Sequence, residues 1–292
     1  MGIADKEEKT HIFLECSEKE IEVISDYYIP FQTSQFKADI RKKVEVLKKE
    51  IQCAVKELNV KADEILLAQY YENKTNRQYD IENRLFYNIG TGAFSKCCQF
   101  DVAFTGDDRN LDDEHSDTEE TYYYNYKIIK INELETLIEK KKMIACWNDI
   151  PIDTQISQSA ARYYWMIRKN FSQINVVSDM SSGAKVGLRL RLTVNKKLKL
   201  MSTMKPLLDG VICAFHGAEK ETVDNICSLY GKDKEKNVIA PQLNLLGERN
   251  YFCKYRGLNS YRWNPEDERL KFVWITLEKG DTCNIQGELF EW

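Results

Sequence analysis

The chain has 292 residues, of which 43% are hydrophobic and 30% charged, with a net charge of −4 and a pI near 5.7. That is enough apolar material for one large core or two ordinary ones. It excludes a wholly basic nucleic-acid packaging protein, but not a local basic groove.

Nine cysteines (Cys16, Cys53, Cys97, Cys98, Cys146, Cys213, Cys227, Cys253 and Cys283) are scattered without a C-x-x-C pair. Free thiols in a reducing compartment fit that spacing better than a disulfide scaffold. The N-terminus has no apolar stretch for a signal peptide, and Lys6 stands where a myristoylation motif wants Ser or Thr. No run of about 18 apolar residues could span a bilayer. These features place the chain in the cytoplasm, with no membrane partner.

In chain order, His11 to Glu15 reads as a short strand. From Phe36 to Leu58, Ile40, Val44, Leu47, Ile51, Val55 and Leu58 recur at helical steps among lysines and glutamates, which predicts an amphipathic helix ended by Asn59. Glu64 to Tyr71 fits a buried strand. Asp80 to Gly90 reads as a turn entering a helix, with Asp80 as N-cap and Glu82 in the first turn. A strand follows at Gln99 to Phe104. The acidic stretch Asp107 to Glu120 reads as a solvated loop without EF-hand spacing.

Tyr122 to Ile131 then predicts a tyrosine-rich strand and Asn132 the cap of a helix running to Lys142. Another helix is expected from Ser157 to Asn170, and a linker at Ser178 to Gly183. In the clearest strand, Val186, Leu188, Leu190, Leu192 and Val194 alternate with polar or small residues. A helix from Lys205 to Phe215 would carry Pro206 in its first turn, where the missing N–H is harmless. A helix at Glu219 to Tyr230 and strands at Lys271 to Leu277 and Gly287 to Trp292 complete the chain. Repeated strand–helix–strand order implies a mixed α/β or α+β fold. Two packed units are expected, residues 1–175 and 176–292.

Three groups could carry chemistry. Lys185, Arg189, Arg191, Lys196, Lys197, Lys199 and Lys205 fall between Asp179 and Asp209 with no acid among them. They form either a groove for a DNA or RNA backbone or an ordinary solvated face. Asp80-x-Glu82-Asn83 sets two carboxylates in one turn, which either converge on Mg2+ or simply cap a helix. Lys205 and Asp209, four apart on a helix, make either an ion pair or a catalytic couple. His11, His115 and His216 share no ligand spacing. Tyr122, Tyr123, Tyr124 and Tyr126 either stack bases or, for two of them, point into the core.

On these residues the second half resembles the RusA-type Holliday-junction resolvases, small α/β Mg2+-dependent endonucleases. Their pattern is a strand, then Asp-x-Asp-Asn-x-x-Lys-x-x-x-Asp along a helix, then an acidic pair entering a strand. Arg189 to Val194, Lys205, Asp209 and Glu266-Asp267 match it. Lys199 and Met201 replace the leading acids. The first half holds the complementary piece, Asp80-Ile-Glu-Asn83, with Phe86 at the lysine position. Setting Phe94 on Phe215, Ala93 on Ala214 and Asn88 on Asp209 suggests two diverged copies of one unit.

The resemblance implies a Mg2+-dependent nuclease or a degenerate nucleic-acid binder, placed in mobile elements or phage defence. Asp80 and Glu82 would hold Mg2+, Lys205 would meet phosphate, and the basic residues would grip the backbone. The incomplete motifs equally suit a non-catalytic subunit that binds a protein partner or its own copy.

Overall fold

The computed structural model describes residues 12–72, 80–107, 121–139, 141–152, 159–195, 197–230, 244–249, 251–254, 261–265 and 267–292. The acidic stretch from 108 to 120, His11, His115, Lys196 and Glu266 lie outside the described residues.

The first half runs β1 (Ile12–Cys16), β2 (Glu20–Ser25), α1 (Ala38–Glu57), β3 (Glu64–Glu72), a short helical stretch, β4 (Asp101–Asp107), β5 (Tyr122–Lys130) and α2 (Ile131–Ile138). Then come β6 (Lys142–Pro151), α3 (Ala160–Lys169), β7 (Ile174–Val176), β8 (Val186–Val194), α4 (Leu200–Phe215), β9 (Gly217–Ala218) and α5 (Lys220–Tyr230). β10 (Glu248–Arg249), β11 (Phe252–Lys254), β12 (Tyr261–Trp263), β13 (Leu270–Lys279) and β14 (Asn284–Glu291) end the chain. The mixed α+β class expected from the sequence is therefore the class observed.

One ten-stranded sheet joins both halves in the order β1-β2-β5-β3-β4-β13-β8-β14-β6-β7. The pairing repeats. β2 is antiparallel to β5, β5 to β3, and β3 is parallel to β4. β6 is likewise antiparallel to β14, β14 to β8, and β8 is parallel to β13. The repeats meet where β4 and β13 run antiparallel, with Ala103 opposite Trp274. A local two-fold axis through that pair carries β3 onto β8: Ala68 pairs with Phe104 as Leu190 pairs with Ile275.

Sheet order does not follow the expected division at 175/176. β6 and β7 pair onto β14 and onto each other, so residues 142–176 belong with the second half. The segment Ser178 to Gly183 connects β7 to β8 within this one sheet and is not a linker between domains.

Strand alternation sets the two faces of the sheet. Leu66, Ala68 and Tyr70 of β3 and Leu188, Leu190, Leu192 and Val194 of β8 all point into the larger core. α1 closes that core over the first half with Val44, Leu47, Ile51 and Val55. α3 and α4 close it over the second. They touch at Gly210, where a Cβ would lie 2.3 Å from the Ala160 carbonyl oxygen. The opposite face carries a smaller cluster, in which Leu134 and Ile138 of α2 cover Ile65, Ala103, Phe272, Trp274 and Phe290. Tyr122, Tyr124 and Tyr126 share one face of β5 and are all buried, one more than the two expected from the sequence.

α2 ends at Ile138 and starts after Lys130, with no side-chain cap, so Asn132 is inside it and Lys142 opens a strand. α4 starts at Leu200, five residues earlier than expected, so Pro206 lies inside the helix. Among the described residues no helix is long and apolar enough to cross a membrane.

Candidate functional site

The carbonyl of Asp80 accepts from the backbone N–H groups of Asn83 (3.1 Å) and Arg84 (3.2 Å). The Asn83 side-chain amide donates to the Asp80 carboxylate. Asn83–Tyr87 then form a wide turn in which the Asn88 N–H reaches back to the Asn83 carbonyl at 2.8 Å. Such five-residue steps recur at functional sites because they redirect side chains that a regular helix would stack. Its inner side is held by Phe86, packed edge-on against Phe94 and Phe104 at 4.9 and 5.4 Å. The Tyr126 hydroxyl donates to the Leu85 carbonyl at 2.8 Å. With that side fixed, Glu82 faces α4 from the other half.

On α4, the Tyr87 hydroxyl donates to the Met201 carbonyl (3.4 Å) and accepts from the Lys205 N–H (3.2 Å). Those are the two groups an uninterrupted helix joins directly. A side chain of the first half thus bridges two backbone groups one turn apart on the second, next to the helix-interior Pro206, which has no N–H to donate.

The ammonium of Lys205 gathers the carboxylates of both halves. It lies 2.6 Å from Glu82 Oε1, 3.5 Å from Asp80 Oδ2 and 3.4 Å from Asp209 Oδ1. All four candidates from the resolvase-like pattern therefore meet, although they are far apart in sequence. Only 2% of the Glu82 side chain is exposed, against 28% for Lys205 and 32% for Asp80. Burial pushes the Glu82 carboxyl up, opposed by Lys205, while neighbouring Asp80 adds to the rise. Burial likewise lifts Asp209 to about 7, with Lys205 pulling it down and Glu82 adding to the rise. Burial alone would lower Lys205, but Glu82, Asp209 and Asp80 around it hold its ammonium well above the usual range.

Chemically, this is a charged donor with a carboxyl poised near neutral pH beside it. Lys205 can hydrogen-bond an anionic oxygen, and Asp209 can give or take a proton at working pH. The residues fit a metal less well. Asp80 and Glu82 both turn toward the ammonium, and among the described residues no group of three or more His, Cys, Asp or Glu side chains is arranged to hold a metal ion.

The basic residues separate into two places. Arg189 and Arg191 lie on the α2 side of the sheet, away from the core onto which α4 packs. Arg189 lies over Trp274 at 4.1 Å and pairs with Glu135 (3.2 Å) and Glu288 (3.6 Å), while Arg191 pairs with Glu278 at 3.3 Å. The expected backbone-gripping face is a ladder of compensated charge on the far side from Lys205. Lys185, just before β8, is half-buried there. Lys197 and Lys199 instead line a cavity of about 660 Å³ at the start of α4, with Met201 and Lys279.

His216 is buried, with Nδ1 3.1 Å from the Gly247 carbonyl, and burial pushes its pKa down to about 4. It is a neutral core residue. Tyr87, which couples the halves, was not singled out in the sequence. Its one signal is its place five residues after Glu82, on the candidate metal-binding turn. No family model, no curated protein and no solved structure matches the chain.

Proposed function

We propose that the chain is a nucleic-acid-binding protein built from two fused resolvase-like units, with one composite site at Asp80, Glu82, Lys205 and Asp209. The observation that supports this reading is the meeting of the two half-motifs. Asp80-x-Glu82-Asn83 and Lys205-x-x-x-Asp209 were set apart as complementary pieces of one pattern, and Lys205 lies within 3.5 Å of all three acids. A phosphodiester would meet the Lys205 ammonium by exchanging places with a carboxylate, and Asp209 would buffer the proton. Hydrolysis with Mg2+ is the further implication of the resemblance. No step is assigned to a metal here, since the acids converge on Lys205.

The test is fluorescence anisotropy with labelled single-stranded, double-stranded and branched DNA and RNA, over a salt series, with and without Mg2+. The Glu82→Gln/Lys205→Met double variant removes one charge of each sign and should bind about tenfold or more weakly, the scale of one lost charge-assisted contact. Unchanged binding by that variant, or none by the unaltered chain at low salt, refutes the reading. Cleavage that needs Mg2+ and vanishes in Asp80→Ala/Glu82→Ala would assign a nuclease.

A second reading, an interaction subunit, draws on the compensated face of β8. Arg189 and Arg191 already hold glutamate partners, so that face offers no surplus positive charge. Co-elution with a partner, together with absent nucleic-acid binding, would favour it.

A further inference from the structure

Beside the composite site, a cleft of about 530 Å³ lies between the loop after β2 and the wide turn, walled by Tyr28, Phe31 and Tyr87 and edged by Asp80, Arg84 and Asn88. Phe31 is 67% exposed, the largest exposure among the large hydrophobic side chains of the described residues. A second depression of about 430 Å³ opens at the same phenylalanine, edged by Thr33, Ser34 and Lys48. Phe31 therefore stands as a partition between two hollows. Lys48 steadies it, donating to the Phe31 carbonyl at 3.3 Å with its ammonium 5.8 Å from the ring centre. Opposite, the Arg84 guanidinium stacks 3.9 Å over Tyr28, and the Asn88 amide reaches the Tyr28 hydroxyl at 3.5 Å.

We propose that this cleft is a nucleobase subsite, seating an unpaired base of a nucleic-acid strand between Phe31 and the Arg84 guanidinium that covers Tyr28, and aiming its phosphate at Lys205. This rests on the nucleic-acid reading above and adds the part of the ligand that the cleft would recognise. Three things select a base over an aliphatic group. The walls are rings, which stack on a flat π system. The rim offers a carboxylate, an amide and a guanidinium, which match the donors and acceptors of a base edge. Asp80 belongs both to this rim and to the Lys205 cluster, so one nucleotide reaches both. The second hollow, with Lys48 on its edge, would take the neighbouring nucleotide across Phe31.

The experiment compares anisotropy of labelled oligothymidylate and oligouridylate with an abasic strand of equal length, using the full chain, Phe31→Ala and Phe31→Trp. Phe31 is exposed, so neither change threatens folding. Phe31→Ala should weaken binding of the base-bearing strands by about five- to tenfold, the scale of one lost stacking contact. Abasic binding should be unchanged, and Phe31→Trp should restore affinity. Equal affinity of the unaltered chain for abasic and base-bearing strands, or no loss in Phe31→Ala, overturns the subsite while leaving nucleic-acid binding standing. Failure of the unaltered chain to bind any strand overturns both.

Discussion

Replacing Lys205 with methionine removes the only positive group within 3.5 Å of Glu82 among the described ion pairs, while the carboxylate stays 98% shielded from water. Methionine keeps the stem volume and the helix propensity, so the effect isolates the charge. Deleting one partner of a buried pair costs about 3–5 kcal/mol, because the remaining charge keeps its desolvation penalty and loses its compensation. For a chain of this length that is a fall of roughly 10 °C in melting temperature. The loss should depend on pH with a definite sign. Burial already raises the Glu82 carboxyl above its ordinary 4.5, and removing Lys205 takes away the largest opposing influence. The folded variant then keeps a proton that the unfolded chain releases. Its stability is therefore greatest below pH 4.5 and falls as pH rises toward the folded value. Urea denaturation followed by tryptophan fluorescence between pH 5 and 8 reads this directly. Adding Glu82→Gln should recover most of the loss, since a neutral pair has no stranded charge. A single variant within about 1 kcal/mol of the unaltered chain at pH 8, or a double variant no better than the single, would refute the assignment of Lys205 as the buried counter-charge.

Asp209 offers a related test. Its carboxyl is lifted from an ordinary 3.8 to about 7, so stability should decline as pH rises through that window, by up to about 4 kcal/mol. Asp209→Asn should flatten this decline, and an unchanged pH profile would exclude Asp209 as the titrating group. Gly210→Ala should destabilise by about 2 kcal/mol or more, because the new methyl meets the Ala160 carbonyl oxygen at 2.3 Å and Tyr163 Cβ at 2.7 Å. Calorimetry showing a neutral effect would contradict the close packing of α3 on α4. Tyr87→Phe should cost about 1–3 kcal/mol by leaving the Lys205 N–H and the Met201 carbonyl without their bridge. Equal stability of that variant in denaturant would mean that the hydroxyl does not hold α4. The pair Arg189→Ala/Arg191→Ala should leave the salt dependence of oligonucleotide binding unchanged, since both guanidiniums are neutralised in place.

Periodicity was informative where one element decided its own burial. The stripe of α1 and the alternation of β8 are local patterns, and both elements form close to the expected limits. β2 and β6 were not read as strands. β2 does alternate, but it is only six residues long; β6 loses its alternation at the exposed Asn148 and Asp149, and the inner partners of both, β5 and β14, lie about a hundred residues or more away. The start of α4 was misplaced for a similar reason. Pro206 signals a first turn only while the backbone must satisfy itself, and here Tyr87 from another segment contacts the backbone on both sides of that turn. The acidic and basic halves of the site were legible as residues, because each keeps its motif spacing. Their meeting was not, because it follows from β4 lying antiparallel to β13. The compensation of Arg189 and Arg191 was equally hidden: Glu135, Glu278 and Glu288 come from α2, β13 and β14.

The repeated pairing of the sheet also bears on why the acids and the lysine come from different halves. Segments that follow β3 and β8 occupy equivalent places in the two units and touch each other beside the axis. Had both kept the acidic pair, Asp80, Glu82 and two equivalents would crowd one partly buried space, and like carboxylates at that separation cannot all ionise. Had both kept the lysine, two ammonium groups would face each other without Glu82 between them. One acidic entry and one Lys–Asp helix is the combination in which burial and charge agree: Glu82 is almost fully enclosed, yet its nearest partner is a cation at 2.6 Å. An identical pair of chains cannot reach that arrangement, because symmetry would give both sides the same residues. Two units in one chain permit it, and leave a single asymmetric cluster in which Lys205 of one unit faces Asp80 and Glu82 of the other.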